Sequence, residues 1–364
     1  MSLLAKLLTK IEEKKEELIK IRHHLHANPE VSFKEFKTAK FIKDFYANKD
    51  VIFSRPLSSN NLGFTITIDS KKPGKTILIR ADFDGLPIKE TTTLSYKSKN
   101  GAMHACGHDV HTAYLMILAD VLIEFKNELK GKIVIMHQHA EETPPGGAKE
   151  MIEAGLLENI DYALGIHVLG NYETGEVYFR FNEAQQARDK YEICIIGKGG
   201  HGSQPEKAND AIVAASYLVT ALQTIISRRI SSNDRAVLSV GSFAGEGTFN
   251  IIQEKVNLEC DVRYAKDEIG ELIAEEINKI AKGFALALSL KIKVKRQIDY
   301  PVLVNNNELT DLALKSLKEA NLPEIKAVNE LGDILSASED FAYVANKVPS
   351  CFFYVGGGIK NHLS

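Results

Sequence analysis

The sequence predicts a two-domain α/β protein in which a ferredoxin-like domain is inserted into a discontinuous α/β domain. The chain has 364 residues, more than the roughly 250 to 300 at which a single hydrophobic core usually stops growing. Strand and helix patterns alternate as far as residue 167, which is typical of a sheet with helices on both faces. From residue 190 to residue 299 the order becomes β-α-β-β-α-β, which is that of a complete ferredoxin-like unit.

The first part of the chain begins with helical patterns. Leucine and isoleucine recur at mainly helical spacing over residues 3–24, and Ser32 with Glu35 has the spacing of a capping box that opens a second helix through about Tyr46. The elements predicted next are strands over 64–68 and 76–80, a helix over 109–125, a strand over 132–137, a helix over 148–153 and a strand that ends at His167.

The second part has a different order of elements. It comprises a strand over 190–196, a helix over 209–227, strands over 236–243 and 254–264, a helix over 268–288 and a strand over 291–299. Helices over 308–318 and 341–346 and a strand over 351–355 complete the chain. We therefore assign residues 1–185 and 300–364 to the first domain and residues 186–299 to the inserted domain.

Composition and charge exclude several classes of partner. Hydrophobic residues make up 44% and charged residues 26% of the chain, the balance of an ordinary globular protein. The net charge of -3, without long blocks of one sign, gives no reason to expect nucleic acid or a membrane surface as partner. The first 20 residues mix Lys and Glu among apolar positions, and four cysteines form no C-x-x-C pair, so we expect a cytoplasmic protein with reduced thiols.

A dense group of metal-binding residue types lies just before the helix predicted over 109–125. Three histidines, a cysteine and an aspartate fall within the eight residues from His104 to His111. Cys106 and His108 stand two apart, and Gly107 between them permits an unusual backbone dihedral, so both side chains can point the same way. Thiolate, imidazole and carboxylate together suit zinc, cobalt, nickel or manganese better than magnesium or calcium. The alternative is a capping loop with incidental histidines.

Other apolar strands also end in groups that bind metals. Glu141 and Glu142 follow the strand over 132–137, and on a turning backbone one can bind metal while the other holds an attacking water. His167 ends a further strand, and Asp84 could orient a ligating histidine. Because ligands bind outside the carboxyl ends of strands in open α/β sheets, we expect these groups to converge. The alternatives are a solvated acid pair, a core histidine and a capping aspartate.

Short motifs run nearly from end to end of the chain. They are RHHLHANPE (22–30), RADFDGLPI (80–88), MHACGHD (103–109), AEE (140–142) with GGAK (146–149), GIHV (165–168), GKGGHG (197–202) and SEDF (338–341). Together they resemble the amidohydrolase branch of the aminoacylase and glutamate-carboxypeptidase family of metallopeptidases. That branch includes hippurate hydrolases, N-acyl-amino-acid amidohydrolases and auxin-conjugate hydrolases.

The resemblance implies a zinc-peptidase-like catalytic domain with two divalent metal ions per subunit, zinc in the first place and manganese, cobalt or nickel as alternatives. Glu141 matches the family's catalytic base. The implied metal ligands, of which the first is the shared one, are Cys106, His108, Glu142, His167 and His362.

The resemblance also implies that the inserted domain is a lid that forms a homodimer. His201 would then reach a neighbouring active site and stabilise the oxyanion, and Asn250 and Arg263 would contact the substrate's carboxylate or carbonyl. An arginine fork matches a carboxylate, although Arg263 could equally be a strand-surface arginine in an ion pair.

We therefore expect a metal-dependent amidohydrolase that cleaves the amide bond of N-acyl-amino acids. Two alternatives stay open. One is a metallo-aminopeptidase or carboxypeptidase that acts on dipeptides or short peptides, and the other is a metal-binding relative without turnover. The adjacent acids Glu141 and Glu142 argue against the second alternative.

Overall fold

The computed structural model describes residues 1–358, and these divide into two compact units. Unit 1 comprises Met1–Ala184, Leu303–Asp333 and the chain from Glu339 onward, and unit 2 comprises Gln185–Val302 with Ile334–Ser338. The division that we drew from the sequence places residues 334–338 in the other domain. They belong to unit 2 because the backbone of this segment bonds there, with the Gln186 N–H donating to the Leu335 carbonyl at 3.1 Å.

The helices and strands are as follows in chain order. The helices are α1 (Leu3–Glu13), α2 (Lys15–Ala27), α3 (Phe36–Tyr46), α4 (His108–Glu124), α5 (Gly147–Glu153), α6 (Ala211–Arg229), α7 (Asp267–Ala287), α8 (Asn307–Ala320) and α9 (Ala342–Ala345). The strands are β1 (Ile52–Phe53), β2 (Phe64–Asp69), β3 (Thr76–Asp82), β4 (Lys132–Gln138), β5 (Tyr162–Glu173), β6 (Glu176–Phe179), β7 (Asn182–Gln185), β8 (Ala187–Ile196), β9 (Gly200–His201), β10 (Ala236–Ala244), β11 (Ile251–Ile252), β12 (Lys255–Tyr264), β13 (Lys291–Tyr300), β14 (Leu303–Asn305), β15 (Ala327–Glu330) and β16 (Ser350–Gly358).

Unit 1 is built on a mixed sheet with the strand order β1-β2-β4-β3-β5-β16-β6-β15. At its centre β3 runs parallel to both β4 and β5, and β5 runs parallel to β16. The register pairs Asp82 with Gln138 and Arg80 with Gly165, so the carboxyl ends of β3, β4 and the β3-paired part of β5 lie at one edge. This confirms the mixed α/β fold predicted from the sequence.

The amino-terminal helices differ from the prediction in two ways. The helical pattern over 3–24 forms two helices that meet at Lys14, whose Nζ lies 2.8 Å from Asp120 Oδ2 on α4. The predicted capping box before α3 is wrong, because Glu35 makes no side-chain cap bond to the helix. Instead Glu30 Oε2 accepts the Thr38 N–H at 2.8 Å, and Ser32 and Glu35 bond to distant parts of the chain.

Unit 2 contains a four-stranded antiparallel sheet in the order β10-β12-β8-β13. Alternate residues of the strands enter its core, as Tyr191, Ile193 and Ile195 do on β8, and pack with the apolar faces of α6 and α7. The edge strand β13 carries lysines at alternate positions, 291, 293 and 295, which disfavour pairing with another strand. The other edge strand, β10, exposes Val237 and Phe243 instead.

One helix within the described residues, α6, is long and apolar enough to cross a membrane by length and composition. Its Ala214, Leu218 and Leu222 are buried in the unit 2 core against the sheet. A core helix of a two-layer domain has the same composition, so this helix needs no membrane to explain it.

The guanidinium of Arg80, on β3, is fully buried and balances three acids. Its nitrogen atoms lie 2.6 Å from Asp82 Oδ2, 2.7 Å from Glu339 Oε1 and 2.9 Å from Asp340 Oδ1. Asp340 also accepts the Gln138 amide at 2.7 Å, which connects β4 to the same group. A buried charge is tolerated only when paired, so this network ties the segment around Glu339 to the central strands.

We predict that Arg80→Met lowers the apparent free energy of unfolding by about 3 to 5 kcal/mol, since it leaves buried acids without their partner. Urea denaturation of the metal-free protein measures this loss. The matched control is Arg55→Met, which removes an exposed pair with Glu158 and should cost less than about 1 kcal/mol. A loss for Arg80→Met as small as that of the control would show that the network adds little stability.

Candidate metal centre

Four chain segments bring side chains with ligand atoms to the carboxyl edge of the unit 1 sheet. Asp82 ends β3 and Asp84 follows it, Glu141 and Glu142 follow β4, and His167 lies on β5 just beyond its pairing with β3. The strand with His167 continues to Glu173, further than predicted, because there it pairs with β16 alone. The fourth segment is the loop that carries Cys106 and His108 into α4.

The turn between Cys106 and His108 requires glycine. Gly107 has φ 88°, in the left-handed region that L side chains rarely adopt, and a Cβ there would lie 2.4 Å from Val168 Cγ1. His108 is the first residue of α4, so Cys106 lies in the loop directly before the helix and His108 in its first turn.

The imidazole of His108 presents a ring nitrogen, Nε2, to the edge of the sheet. Its Nδ1 lies 3.0 Å from both the carbonyl oxygen and Oδ1 of Asp84. A carbonyl oxygen can only accept, so Nδ1 carries a hydrogen and Nε2 can hold a lone pair. Nε2 has no hydrogen-bond partner within residues 1–358, and it lies 3.9 Å from Glu141 Oε2 and from Glu142 Oε1.

The imidazole of His167 is held in the same way. Its Nδ1 lies 2.7 Å from the Val168 carbonyl oxygen and therefore donates, which leaves Nε2 as an acceptor 3.3 Å from Cys106 Sγ. Burial, together with nearby His111, lowers the pKa of His167 to about 3, so its neutral form, the form that binds metals, prevails at pH 7.

These atoms form two neighbouring groups that share His108. In one group the ligand atoms of Cys106, His108 and His167 lie within 4.8 Å of one another, and in the other those of His108, Glu141 and Glu142 do. The Glu142 Oε1 atom is buried and makes no hydrogen bond within residues 1–358. Thiol, imidazole and carboxylate donors at such spacing fit one or two divalent transition-metal ions.

The charges of the centre also fit a cation. Burial raises the pKa of the Cys106 thiol, and burial with the carboxylates of Asp84 and Asp82 raises the pKa of Glu142. Burial with Glu339 and Asp340 raises the pKa of Glu141 well above its usual value. Such shifts mark an excess of negative groups in a poorly solvated place, and a divalent cation relieves it.

Two residues that support the centre were missed in the sequence analysis. His111 Nε2 accepts the Val168 N–H at 2.9 Å, so its Nδ1 donates to Asp82 Oδ1 at 2.7 Å. This bridge joins β3, α4 and β5 beside His167. A signal was present, because His111 belongs to the dense histidine group and Asp82 precedes Asp84 by two residues, directly after an apolar run.

Two residues of the motif at 22–30 form hydrogen bonds to Asp109 at the start of α4. Asp109 Oδ2 lies 2.9 Å from both Arg22 Nε and His26 Nδ1, and His26 Nε2 lies 3.2 Å from Glu90 Oε1. The hydrogen bond to Asp109 raises the pKa of His26. This group, buried except for the half-buried Arg22, holds the residue that directly follows His108.

The predicted substrate contacts lie in unit 2. His201 is exposed on β9, and the Ser203 N–H donates to its Nδ1 at 3.2 Å, so Nε2 carries the hydrogen. The short ladder between β9 and β11 brings Asn250 close, since its carbonyl accepts the Gly202 N–H at 2.8 Å. Arg263 lies elsewhere on β12, where its Nε donates to Asp261 Oδ2 at 3.0 Å. His362 lies outside the described residues.

Comparisons with known proteins give the family of the chain. Residues 78–363 match the sequence description of peptidase family M20/M25/M40. The chain is 40% identical over 333 residues to a hippurate hydrolase of Campylobacter jejuni, covering 90% of this chain and 84% of the relative. It is 38% identical over 341 residues to an N-acetyl-L-cysteine deacetylase of Bacillus subtilis, covering 93% and 80%.

A solved structure is also similar. The crystal structure of the Bacillus subtilis YXEP protein, described as a dinuclear metal-binding peptidase of the M20 family, matches with a TM-score of 0.81 and 28% identity over 95% of this chain and 89% of that one. The relatives' names agree with the resemblance drawn from the motifs. The chain belongs to peptidase family M20/M25/M40 and, within it, to the amidohydrolase branch.

Proposed function

We propose that the protein is a metal-dependent hydrolase that cleaves the amide bond of N-acyl-amino acids into a carboxylic acid and a free amino acid. The observation that carries the proposal is the convergence of Cys106, His108 and His167 with the pair Glu141 and Glu142 at one sheet edge. The names of two relatives, a hippurate hydrolase and an N-acetyl-L-cysteine deacetylase, support this substrate class, because both compounds are N-acyl-amino acids.

The residues that would hold two divalent ions are Cys106, as the shared ligand, with His108, Glu142, His167 and His362. The mixed donors favour zinc, with manganese, cobalt or nickel as alternatives. When bound, such ions supply Lewis acidity, which polarises the amide carbonyl and lowers the pKa of a water molecule toward about 7. Asp84 holds the His108 ring for this purpose through Nδ1.

Glu141 is our candidate for the catalytic base. Burial and the neighbouring acids raise its pKa, which suits a group that accepts a proton from the attacking water and returns it to the leaving amine. Its Oε2 atom lies 3.9 Å from the His108 nitrogen that faces the centre, so the proton is received where the ligands meet.

His201 is our candidate for stabilising the oxyanion. Its Nε2 carries the hydrogen because Nδ1 accepts from Ser203, so the exposed ring has a donor to offer. We propose that unit 2 acts as a lid that brings this donor to an active site.

Removal of one oxyanion donor costs about 100-fold to 1000-fold in kcat, and we expect that loss for His201→Ala in steady-state assays. An unchanged kcat would show that His201 does not stabilise the oxyanion.

Asn250 and Arg263 are proposed contacts to the substrate's carbonyl or carboxylate. Arg263 is paired with Asp261, and its Nη1 lies 3.4 Å from the Ser336 carbonyl oxygen, so a substrate carboxylate would have to share it. The contribution of Arg263 to binding is therefore expected to be smaller than that of a dedicated carboxylate clamp.

A homodimer through unit 2 is also proposed. The edge strand β10 exposes Val237 and Phe243, and α6 exposes Tyr217, with 48%, 44% and 59% of their surfaces accessible. An unpaired strand with apolar side chains is an association surface.

Phe243→Lys combined with Tyr217→Lys should halve the mass seen by light scattering, whereas Lys293→Glu on β13 should not. A wild-type protein of monomer mass would end the proposal.

We also propose a cytoplasmic location and no nucleic-acid or membrane partner. All four cysteines are free, which supports a reducing compartment. Cell fractionation that recovers the protein with secreted or membrane material would contradict this.

The experiment that tests the proposed function is a substrate panel. Metal-stripped protein is resupplied with zinc, manganese, cobalt or nickel and offered N-acetyl and N-benzoyl amino acids, dipeptides, and N-acyl amines that lack a carboxylate. We expect metal-restored cleavage of the acyl-amino acids. Preference for dipeptides would favour a peptidase, and no cleavage with any metal would favour a relative without turnover.

A pair of variants tests the division of roles between the adjacent acids. Glu141→Gln should lower kcat by about 100-fold to 10,000-fold, the contribution typical of a general base, with the metal content unchanged. Glu142→Gln should instead lower the metal content measured by atomic emission. Glu158→Gln, an exposed acid, serves as control. Retained turnover in Glu141→Gln would show that another group takes the proton.

A further inference from the structure

The segment that leads into α3, residues 30–36, makes unexpected bonds. Ser32 and Glu35 have the spacing of a capping box, yet neither caps the helix. Ser32 Oγ donates to Asp84 Oδ2 at 2.7 Å, and Glu35 Oε1 accepts the Ala140 N–H at 2.8 Å. Glu30 caps α3 in their place. Both side chains are thus directed to residues that adjoin the candidate metal centre.

Ala140 lies in the turn that carries Glu141 and Glu142, and its backbone conformation is unusual. It has φ 51°, in the left-handed region that a residue with a side chain adopts only when its surroundings impose it. It is fully buried and directly precedes Glu141. Its carbonyl accepts the Gly147 N–H at 3.0 Å, and its own N–H donates to Glu35, so hydrogen bonds hold both peptide groups that flank Ala140.

The local fold of α3 does not account for the position of Glu35. The side chain is fully buried, and its Oε2 makes no hydrogen bond within residues 1–358. Burial and the nearby Asp84 carboxylate raise the pKa of Glu35 to about 8. Burying an acid with one oxygen unbonded costs stability, and departures of this kind are expected at functional sites.

We propose that Glu35 is a positioning residue for the reaction, which fixes the directions of Glu141 and Glu142 by holding the peptide N–H of Ala140. The inference rests on the proposed function, in which these glutamates serve as base and ligand. Ser32 forms a second arm, because the Asp84 Oδ2 atom that it bonds also accepts the Glu142 N–H at 3.0 Å. The two arms hold the turn at residues 140 and 142.

The essential feature is then a hydrogen-bond acceptor at the position of Glu35 Oε1. Glu35→Gln keeps a carbonyl oxygen there, whereas Glu35→Met fills similar space without an acceptor and leaves the buried Ala140 N–H unbonded. Glu30→Ala is the matched control, since it removes the bond to Thr38 on the same segment and leaves the turn alone.

The test measures hydrogen exchange of a peptide that covers residues 138–146, together with kcat, KM, metal content and Tm, in the zinc-loaded and metal-free full-length proteins. For Glu35→Met we expect faster exchange in that peptide and a kcat lower by up to about 100-fold, the scale of a 1 Å misplacement, with KM changed less. Glu35→Gln should match wild type in both. Glu30→Ala should lower Tm and leave exchange at 138–146 and kcat unchanged.

Wild-type exchange and kcat in Glu35→Met would overturn the inference. So would equal damage in Glu35→Gln, which keeps a carbonyl oxygen at that place and would show that an acceptor there does not position the turn. If Glu35→Met fails to fold while Glu35→Gln folds, the bond belongs to the fold and the positioning role is wrong. If wild type cleaves no substrate of the panel, the proposed function fails, while the exchange measured on the metal-free proteins still decides whether Glu35 holds the turn.

Discussion

The parallel placement of β3 between β4 and β5 is the constraint on which the candidate metal centre depends. It brings the ends of three apolar strands to one edge and sets Asp84, Glu142 and His167 within reach of a single loop. The loop needs Gly107 for its turn, and α4 begins there with His108. A shift of β3 against either neighbour would separate the donors, so the sheet register is itself part of the chemistry.

The second constraint is charge. Asp82, Glu141, Glu339 and Asp340 are buried close together, and Arg80 is the permanent cation that three of them contact. On the other side of this group burial, together with neighbouring acids, raises the pKa values of Glu141 and Glu142, and burial raises that of the Cys106 thiol. A divalent cation at the ligand atoms would complete the balance that Arg80 begins.

Sequence patterns predict features that depend on local order. An apolar run followed by a metal-binding side chain marks a strand end, and this was enough to single out Glu142, His167 and Asp84. Patterns fail where a distant partner competes with a local one. Ser32 and Glu35 match a capping box, but they bond to Asp84 and to Ala140, which is 105 residues from Glu35. The ion pair of Arg80 with Glu339 joins residues 259 positions apart, so no local sequence pattern predicts it either.

X-ray absorption spectroscopy of the zinc-loaded protein tests the central claim most directly, because it reports which atoms surround the metal. If Cys106 is the shared ligand, the spectrum contains a sulfur scatterer at about 2.3 Å beside nitrogen and oxygen at about 2.0 to 2.2 Å, and the sulfur disappears in Cys106→Ser. A shell of nitrogen and oxygen alone in the wild-type protein, or a sulfur that persists in the variant, would contradict the account.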